Sequence, residues 1–169
     1  MKRTSLCILC LLATCTSDDL TADMVSLAEL LTDTYDPLLR AEVLDEQRLD
    51  FSVESLNHIN QYLDVVHNYP ATLSDEPYFK IVLRTGAYLG ETLRRNAPPG
   101  DYRWLSYEQA ASDSPTIRSM GENIGTLAVL QTRSGGFVFP LAKVAKYIEN
   151  GEEENLYFYA RFLLHQASE

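Results

Sequence analysis

The residues of this chain that could do chemistry are concentrated on one predicted helix and on the strand that follows it. Arg84, Tyr88 and Glu91 recur at helical spacing. Arg95 stands four residues after Glu91, in the order that favours an ion pair along a helix. Trp104 lies on the next predicted strand. If its indole packs beside Arg84 and Glu91, these side chains form one polar and aromatic patch, suited to protein binding or to acid–base chemistry by the Glu91 carboxylate.

Two glycines lie on the apolar stripe of the same predicted helix. Gly86 and Gly90 stand four residues apart, and each costs a helix about 1 kcal/mol relative to alanine. Close packing of another helix or of the sheet against this flat surface would offset that cost. The alternative is a groove floor, where a partner segment or a ligand approaches the backbone.

Metal sites and nucleophilic sites are not indicated elsewhere in the sequence. His58 and His67 share a predicted helix but stand nine residues apart, which places them on opposite sides, and His165 is distant from both. The sequence contains no Gly-x-Ser-x-Gly, His-Glu-x-x-His or phosphate-loop motif. We therefore expect neither a metal nor another cofactor.

The charge of the chain argues against one broad class of function. The 169 residues include 14 lysines and arginines against 24 aspartates and glutamates, for a net charge of −10. A nucleic-acid binder needs a concentrated cationic face, so we expect no nucleic acid among the partners. The apolar fraction of 46% is ordinary for a globular domain.

The first fifteen residues have the pattern of an export signal. Lys2 and Arg3 precede an apolar run over residues 6–13, which is too short to span a bilayer. The run ends in Leu12-Ala13-Thr14-Cys15, which resembles a bacterial lipobox. The resemblance implies that residues 1–14 are a signal peptide and that Cys15 carries a lipid.

The resemblance also implies a location. A lipid on Cys15 would anchor the protein to a membrane of the bacterial cell envelope, facing the periplasm, with the outer membrane favoured over the inner one. A secretory signal cut near Ala13 or Ser17 is one alternative, and a fortuitously apolar N-terminus is another.

The chain left by such processing is more acidic and has one cysteine. Loss of Lys2 and Arg3 leaves 12 cationic and 24 anionic side chains, a net charge of −12. Cys7 and Cys10 fall in the removed segment, and a lipid thioether on Cys15 forms no disulfide, so the domain is expected to fold without covalent crosslinks. We expect the acidic body to stand off anionic headgroups.

Periodicity and turn signals predict a single α+β domain with N-terminal helices, a small antiparallel sheet and C-terminal helices. Residues 15–23 are predicted to be a polar tether and residues 24–169 the domain. One predicted helix lies between an N-cap at Ser52 and a stop at residues 68–70. The other predicted helices cover residues 24–35, 76–95, 140–150 and 152–165, and the predicted strands cover 102–107, 126–131 and 136–139.

The body of the chain resembles a bacterial family of domains of unknown function. The resemblance is carried by Gly86-Ala87-Tyr88-Leu89-Gly90-Glu91 with Arg94-Arg95, by Trp104, and by a corner with Phe139-Pro140 followed by Lys146-x-Ile148-Glu149-x-Gly151. It covers roughly residues 51–162. It implies an α+β fold with no assigned activity, and it supplies no catalytic residue.

These observations favour binding over catalysis. The first hypothesis is a lipid-anchored protein-interaction module, in particular an immunity-type protein that neutralises an incoming envelope toxin. The second is an envelope hydrolase or glycan-active enzyme that uses Glu91 with Arg84 or Arg95, which predicts a pocket holding a carboxylate of raised pKa. The third is a small-ligand binder. Its candidate aromatic residues are Tyr88, Trp104, Tyr157 and Tyr159.

Overall fold

The computed structural model describes residues 17–69 and 72–167, and it confirms the α+β class. Within these residues it contains seven α-helices and one three-stranded antiparallel sheet. The helices are α1 Ser17–Glu29, α2 Leu56–His67, α3 Asp75–Asn96, α4 Tyr107–Asp113, α5 Pro115–Met120, α6 Pro140–Asn150 and α7 Leu156–Ala167, and the strands are β1 Tyr102–Ser106, β2 Ala128–Thr132 and β3 Phe137–Val138. Four short 3₁₀ turns cover Leu30–Thr32, Ala41–Val43, Glu46–Arg48 and Gly151–Glu154.

Helix α3 is the centre of the domain. Every residue from Ile81 to Leu93 is buried, because α1, α6, α7 and β1 pack around this helix. A Cβ added at Gly86 would lie 2.9 Å from the Leu141 backbone, and one at Gly90 would lie 2.1 Å from the Trp104 ring. The close-packing interpretation of the two glycines is therefore confirmed, and the alternative of an open groove floor is wrong.

The sheet presents two different faces. Strand β2 lies between β1 and β3, with Trp104 opposite Leu130 and Leu130 opposite Val138. These three side chains belong to the main core. The opposite face, with Leu105 and Val129, packs into a smaller apolar cluster beneath α4 and α5. Neighbouring residues of β1 therefore pack into different apolar clusters.

Helices α4 and α5 are absent from the sequence predictions. Each has a local start signal: Ser106 and Gln109 form a capping box at α4, and Ser114 caps α5 with Pro115 in the first turn. At seven and six residues, however, neither helix is long enough to show a clear helical period.

The structure corrects the predicted boundary between tether and domain. Helix α1 begins at Ser17 rather than at Met24, and Leu20 is fully buried. Leu20, Met24 and Ala28 recur at a spacing of four and form one buried stripe, so the domain takes in most of the predicted tether. The predicted signal peptide 1–14 and the predicted lipid site Cys15 lie outside the described residues.

Candidate functional site

Glu91, Arg94, Arg95 and Trp104 form what we call the Glu91 cluster. The Glu91 carboxylate is fully buried and accepts hydrogen bonds from Trp104 Nε1 (2.9 Å) and from Arg94 Nε and Nη2 (2.9 and 2.8 Å). Arg95 Nε donates a further hydrogen bond of 3.2 Å. The cluster joins α3 to β1, and the predicted Glu91–Arg95 pair is confirmed.

The electrostatics of this carboxylate do not suit an acid catalyst. Burial alone would raise the pKa of Glu91, but hydrogen bonds from Arg94 and Trp104 outweigh burial and hold the pKa below its ordinary value. The raised pKa expected for the enzyme hypothesis is therefore wrong for this residue. Because the side chain is fully buried, it is also closed to a substrate.

Tyr88 is occupied by structural contacts as well. Its hydroxyl accepts a hydrogen bond from the Phe51 backbone N–H (3.0 Å) and shares one with Ser55 Oγ (2.7 Å). The Phe51 ring stacks on Tyr88 with centroids 4.6 Å apart, and the Arg95 guanidinium carbon lies 3.7 Å from the Phe51 centroid. Phe51 has a φ of 60°, a conformation fixed by these contacts on both sides of its ring.

Arg84 belongs to a different group, which we call the Asp36 cluster: Asp36, Lys80 and Arg84. The Arg84 guanidinium donates to the carbonyl oxygens of Leu30 (3.0 Å) and Asp36 (2.8 Å) and to the Asp36 carboxylate (2.9 Å). Lys80 pairs with the same carboxylate. The predicted single patch is therefore wrong: Trp104 packs beside Glu91, but Arg84 binds the segment that follows α1.

A groove lies beside the Asp36 cluster, between α1 and α3. Its volume is about 560 Å³. Its apolar floor is formed by Leu27, Leu30, Phe79 and Leu83, and its charged rim by Asp36, Asp75, Glu76, Lys80 and Arg84. We call it the α1–α3 groove. Leu30 is 39% exposed in it, although the sequence places this residue on a core stripe.

A second cavity of about 530 Å³ lies between the start of β1, the β2–β3 turn and the end of α7. Tyr102 and Arg133 line it. The aromatic residues predicted for a small-ligand site line neither this cavity nor the α1–α3 groove. Tyr88 and Trp104 are buried, and Tyr159 lies beneath the Lys143 ammonium group.

The two histidines of α2 make structural hydrogen bonds to other parts of the chain. His58 Nε2 accepts a hydrogen bond of 2.8 Å from the Asp45 backbone N–H. His67 Nδ1 donates one of 2.9 Å to the Ile148 carbonyl oxygen. Among residues 17–69 and 72–167, no three histidine, cysteine or acidic side chains are grouped closely enough to hold a metal ion.

Two further observations bear on function. None of the helices in the described part of the chain combines the length and the apolar character needed to cross a membrane. No protein family, curated protein or solved structure matches the chain.

Proposed function

We propose that this protein is an acidic protein-interaction module, held at the bacterial cell envelope by a lipid on Cys15, and that its partner docks in the α1–α3 groove. The observation that carries the proposal is the groove itself. It has an apolar floor open to solvent, whereas the Glu91 carboxylate is buried and hydrogen-bonded inside the domain.

The shape of the groove suits an amphipathic segment of a protein partner. Leu27 comes from α1 and Leu30 from the 3₁₀ turn that follows it, and Phe79 and Leu83 come from α3, so the end of α1 and the start of α3 frame one apolar channel. Helical segments bind such channels through large apolar side chains at spacings of three and four residues. A partner helix with two or three such anchors would cover the exposed part of Leu30.

The charges at the rim favour a cationic partner. Lys80 and Arg84 are already paired with Asp36. Asp75 and Glu76 are exposed in the first turn of α3, and they leave the rim acidic. The net charge of the whole chain, −10, would speed the approach of a cationic protein.

The docking proposal can be tested by comparing two substitutions of exposed apolar residues. Leu30→Arg places a cation in the groove, and Met120→Arg places one on α5, where the native side chain is 50% exposed. The full chain would be isolated from detergent-solubilised membranes and its partners quantified by mass spectrometry. We expect the native chain and Met120→Arg to retain one stoichiometric cationic protein that Leu30→Arg retains at least tenfold less. Equal retention by both variants, or no stoichiometric partner, would contradict the proposal.

The anchor is tested separately by labelling cells with a fatty-acid analogue. The native chain should take up the label, and a Cys15→Ala variant should not. Labelling that is unchanged in the variant would contradict the lipid on Cys15 and leave the groove proposal to its own test.

We further propose that the partner is a toxin that enters the envelope and that this protein neutralises the toxin. The acidic rim and the strongly acidic chain support a toxin with a cationic docking segment. Cells that lack the protein should then be killed by siblings that produce the toxin. Native protein should restore survival, and the Leu30→Arg variant should not.

A further inference from the structure

Helix α7 exposes two large aromatic side chains on one side. Phe158 and Phe162 are 67% and 62% exposed and stand four residues apart, so they lie next to each other on the helix surface. The opposite side of the helix is held in the core by Leu156 and Ala160. The fold therefore positions the two rings firmly while leaving them uncovered.

The charge of α7 differs from that of the other long helices. Among the five described helices longer than ten residues, α7 alone contains no aspartate or glutamate. It carries an exposed arginine, Arg161, whose Nη1 donates a hydrogen bond of 3.2 Å to the Tyr157 hydroxyl. We call the surface formed by Phe158, Arg161 and Phe162 the α7 face. It is an apolar and cationic surface on a chain of net charge −10.

We propose that the α7 face lies against the headgroup region of an anionic lipid bilayer. Aromatic rings gain from burial at the boundary between headgroups and acyl chains, and an arginine beside them is attracted to anionic headgroups. The repulsion expected from the net charge is not uniform over the surface. It disfavours the acidic helices at the bilayer and so turns α7 towards it.

The start of α1 brings the domain close to the bilayer, in a step that rests on the proposed lipid anchor. Helix α1 begins at Ser17, two positions after Cys15. A lipid on Cys15 would therefore hold the folded body within a few residues' length of the bilayer. Two phenylalanines and one arginine are too few to anchor a protein alone, so the α7 face orients a body that the lipid retains.

The contact can be measured by tryptophan fluorescence in reconstituted vesicles. Phe162→Trp places a reporter on the α7 face, and Tyr35→Trp places one at a site that is 98% exposed elsewhere. Trp104 is fully buried and gives the same background in both variants. The full chain of each variant would be reconstituted into vesicles of phosphatidylethanolamine and phosphatidylglycerol, with and without brominated acyl chains that quench tryptophan on contact.

We expect brominated lipid to quench the Phe162→Trp reporter several-fold more than the Tyr35→Trp reporter, and an added Arg161→Glu substitution to reduce the difference. Equal quenching of both reporters, or no quenching in protein that floats with the vesicles, would overturn the proposal. A blue shift of the Phe162→Trp emission without quenching would overturn it too, because it would place another protein surface on this face. Repeating the flotation with Cys15→Ser reports on the anchor alone.

Discussion

Two charged clusters on α3 place their charges in opposite ways. In the Glu91 cluster the carboxylate is fully buried, and the side chains of Arg94 and Arg95 are about one-third exposed. In the Asp36 cluster the guanidinium of Arg84 is 7% exposed, and the carboxylate of Asp36 is 57% exposed. One cluster buries an anion and leaves its cations at the surface, and the other buries a cation and leaves its anion there.

The buried charge of each cluster determines which parts of the chain that cluster joins. The Glu91 carboxylate can accept several hydrogen bonds, so it joins the Trp104 indole of β1 to two arginines of α3. The Arg84 guanidinium only donates, so it gathers the carbonyl oxygens of Leu30 and Asp36 at the end of α1. The first cluster stabilises the core, and the second fixes one wall of the α1–α3 groove.

The largest contrast is expected from removing the two carboxylates in turn. Glu91→Ala leaves the buried Trp104 N–H without its acceptor, and it should lower the free energy of unfolding by about 3–5 kcal/mol. Asp36→Ala removes a mostly exposed carboxylate, and Arg84 keeps its hydrogen bonds to two carbonyl oxygens, so the cost should be smaller, about 1–2 kcal/mol. Chemical denaturation of the purified variants measures both values.

A Glu91→Gln variant provides the control, since its amide oxygen can still accept from Trp104, and it should recover part of the loss. If Glu91→Ala and Asp36→Ala lowered the free energy of unfolding equally, the buried carboxylate would contribute no more stability than the exposed one, contrary to this prediction.

A smaller loss of folding stability is expected from Arg84→Met. This substitution keeps an unbranched apolar stem but leaves the Asp36 carbonyl oxygen without its Arg84 donor. The Leu30 carbonyl oxygen keeps its hydrogen bond from the Asp33 backbone N–H, so the cost should be about 2 kcal/mol. Lys80→Met removes a partly exposed pair and should cost about 1 kcal/mol or less.

Amide hydrogen exchange gives a local measurement of the same substitution. Exchange over residues 30–39 should become faster in Arg84→Met and stay near native in Lys80→Met. If the exchange were unchanged in Arg84→Met, Arg84 would not be what holds this wall of the groove.

The smallest expected effect is a difference in acid sensitivity. The hydrogen bonds from Arg94 and Trp104 hold the pKa of Glu91 below its ordinary 4.5, so the stability that the carboxylate contributes is present above that pH and is lost as the pH falls through the folded-state pKa. A hydrogen bond from Lys80 likewise lowers the pKa of Asp36. Because Asp36 is mostly exposed, Asp36→Asn should flatten the acid limb of stability against pH less than Glu91→Gln does. A larger flattening of the acid limb in Asp36→Asn than in Glu91→Gln would contradict this prediction.

The parts of the fold that local signals specify were predictable. Pro140 in the first turn and Gly151 after the last bound α6 where the sequence predicts, because both act through their own backbone. The Glu91–Arg95 pair follows from helical spacing alone. Arg84 does not: its partner Asp36 is 48 residues earlier, and only the packing of α1 on α3 brings the two together.

The groove could not be predicted for a related reason. Leu27, Leu30 and Phe79 have the spacing of core residues, and nothing in their spacing distinguishes a covered apolar stripe from an uncovered one. Which part of each stripe stays open depends on how the two helices pack together. That packing is a property of the whole domain and not of either segment.

The start of α1 at Ser17 also determines the reach of the protein. A flexible tether of nine residues would let the domain take many positions relative to the anchor. A helix that is packed in the core through Leu20 does not allow this freedom. With a lipid on Cys15, the α1 end of the groove would stay close to the anchor, since Leu27 is about 15 Å along the helix from Ser17 at 1.5 Å per residue. A partner would then meet this protein within a thin shell above the membrane.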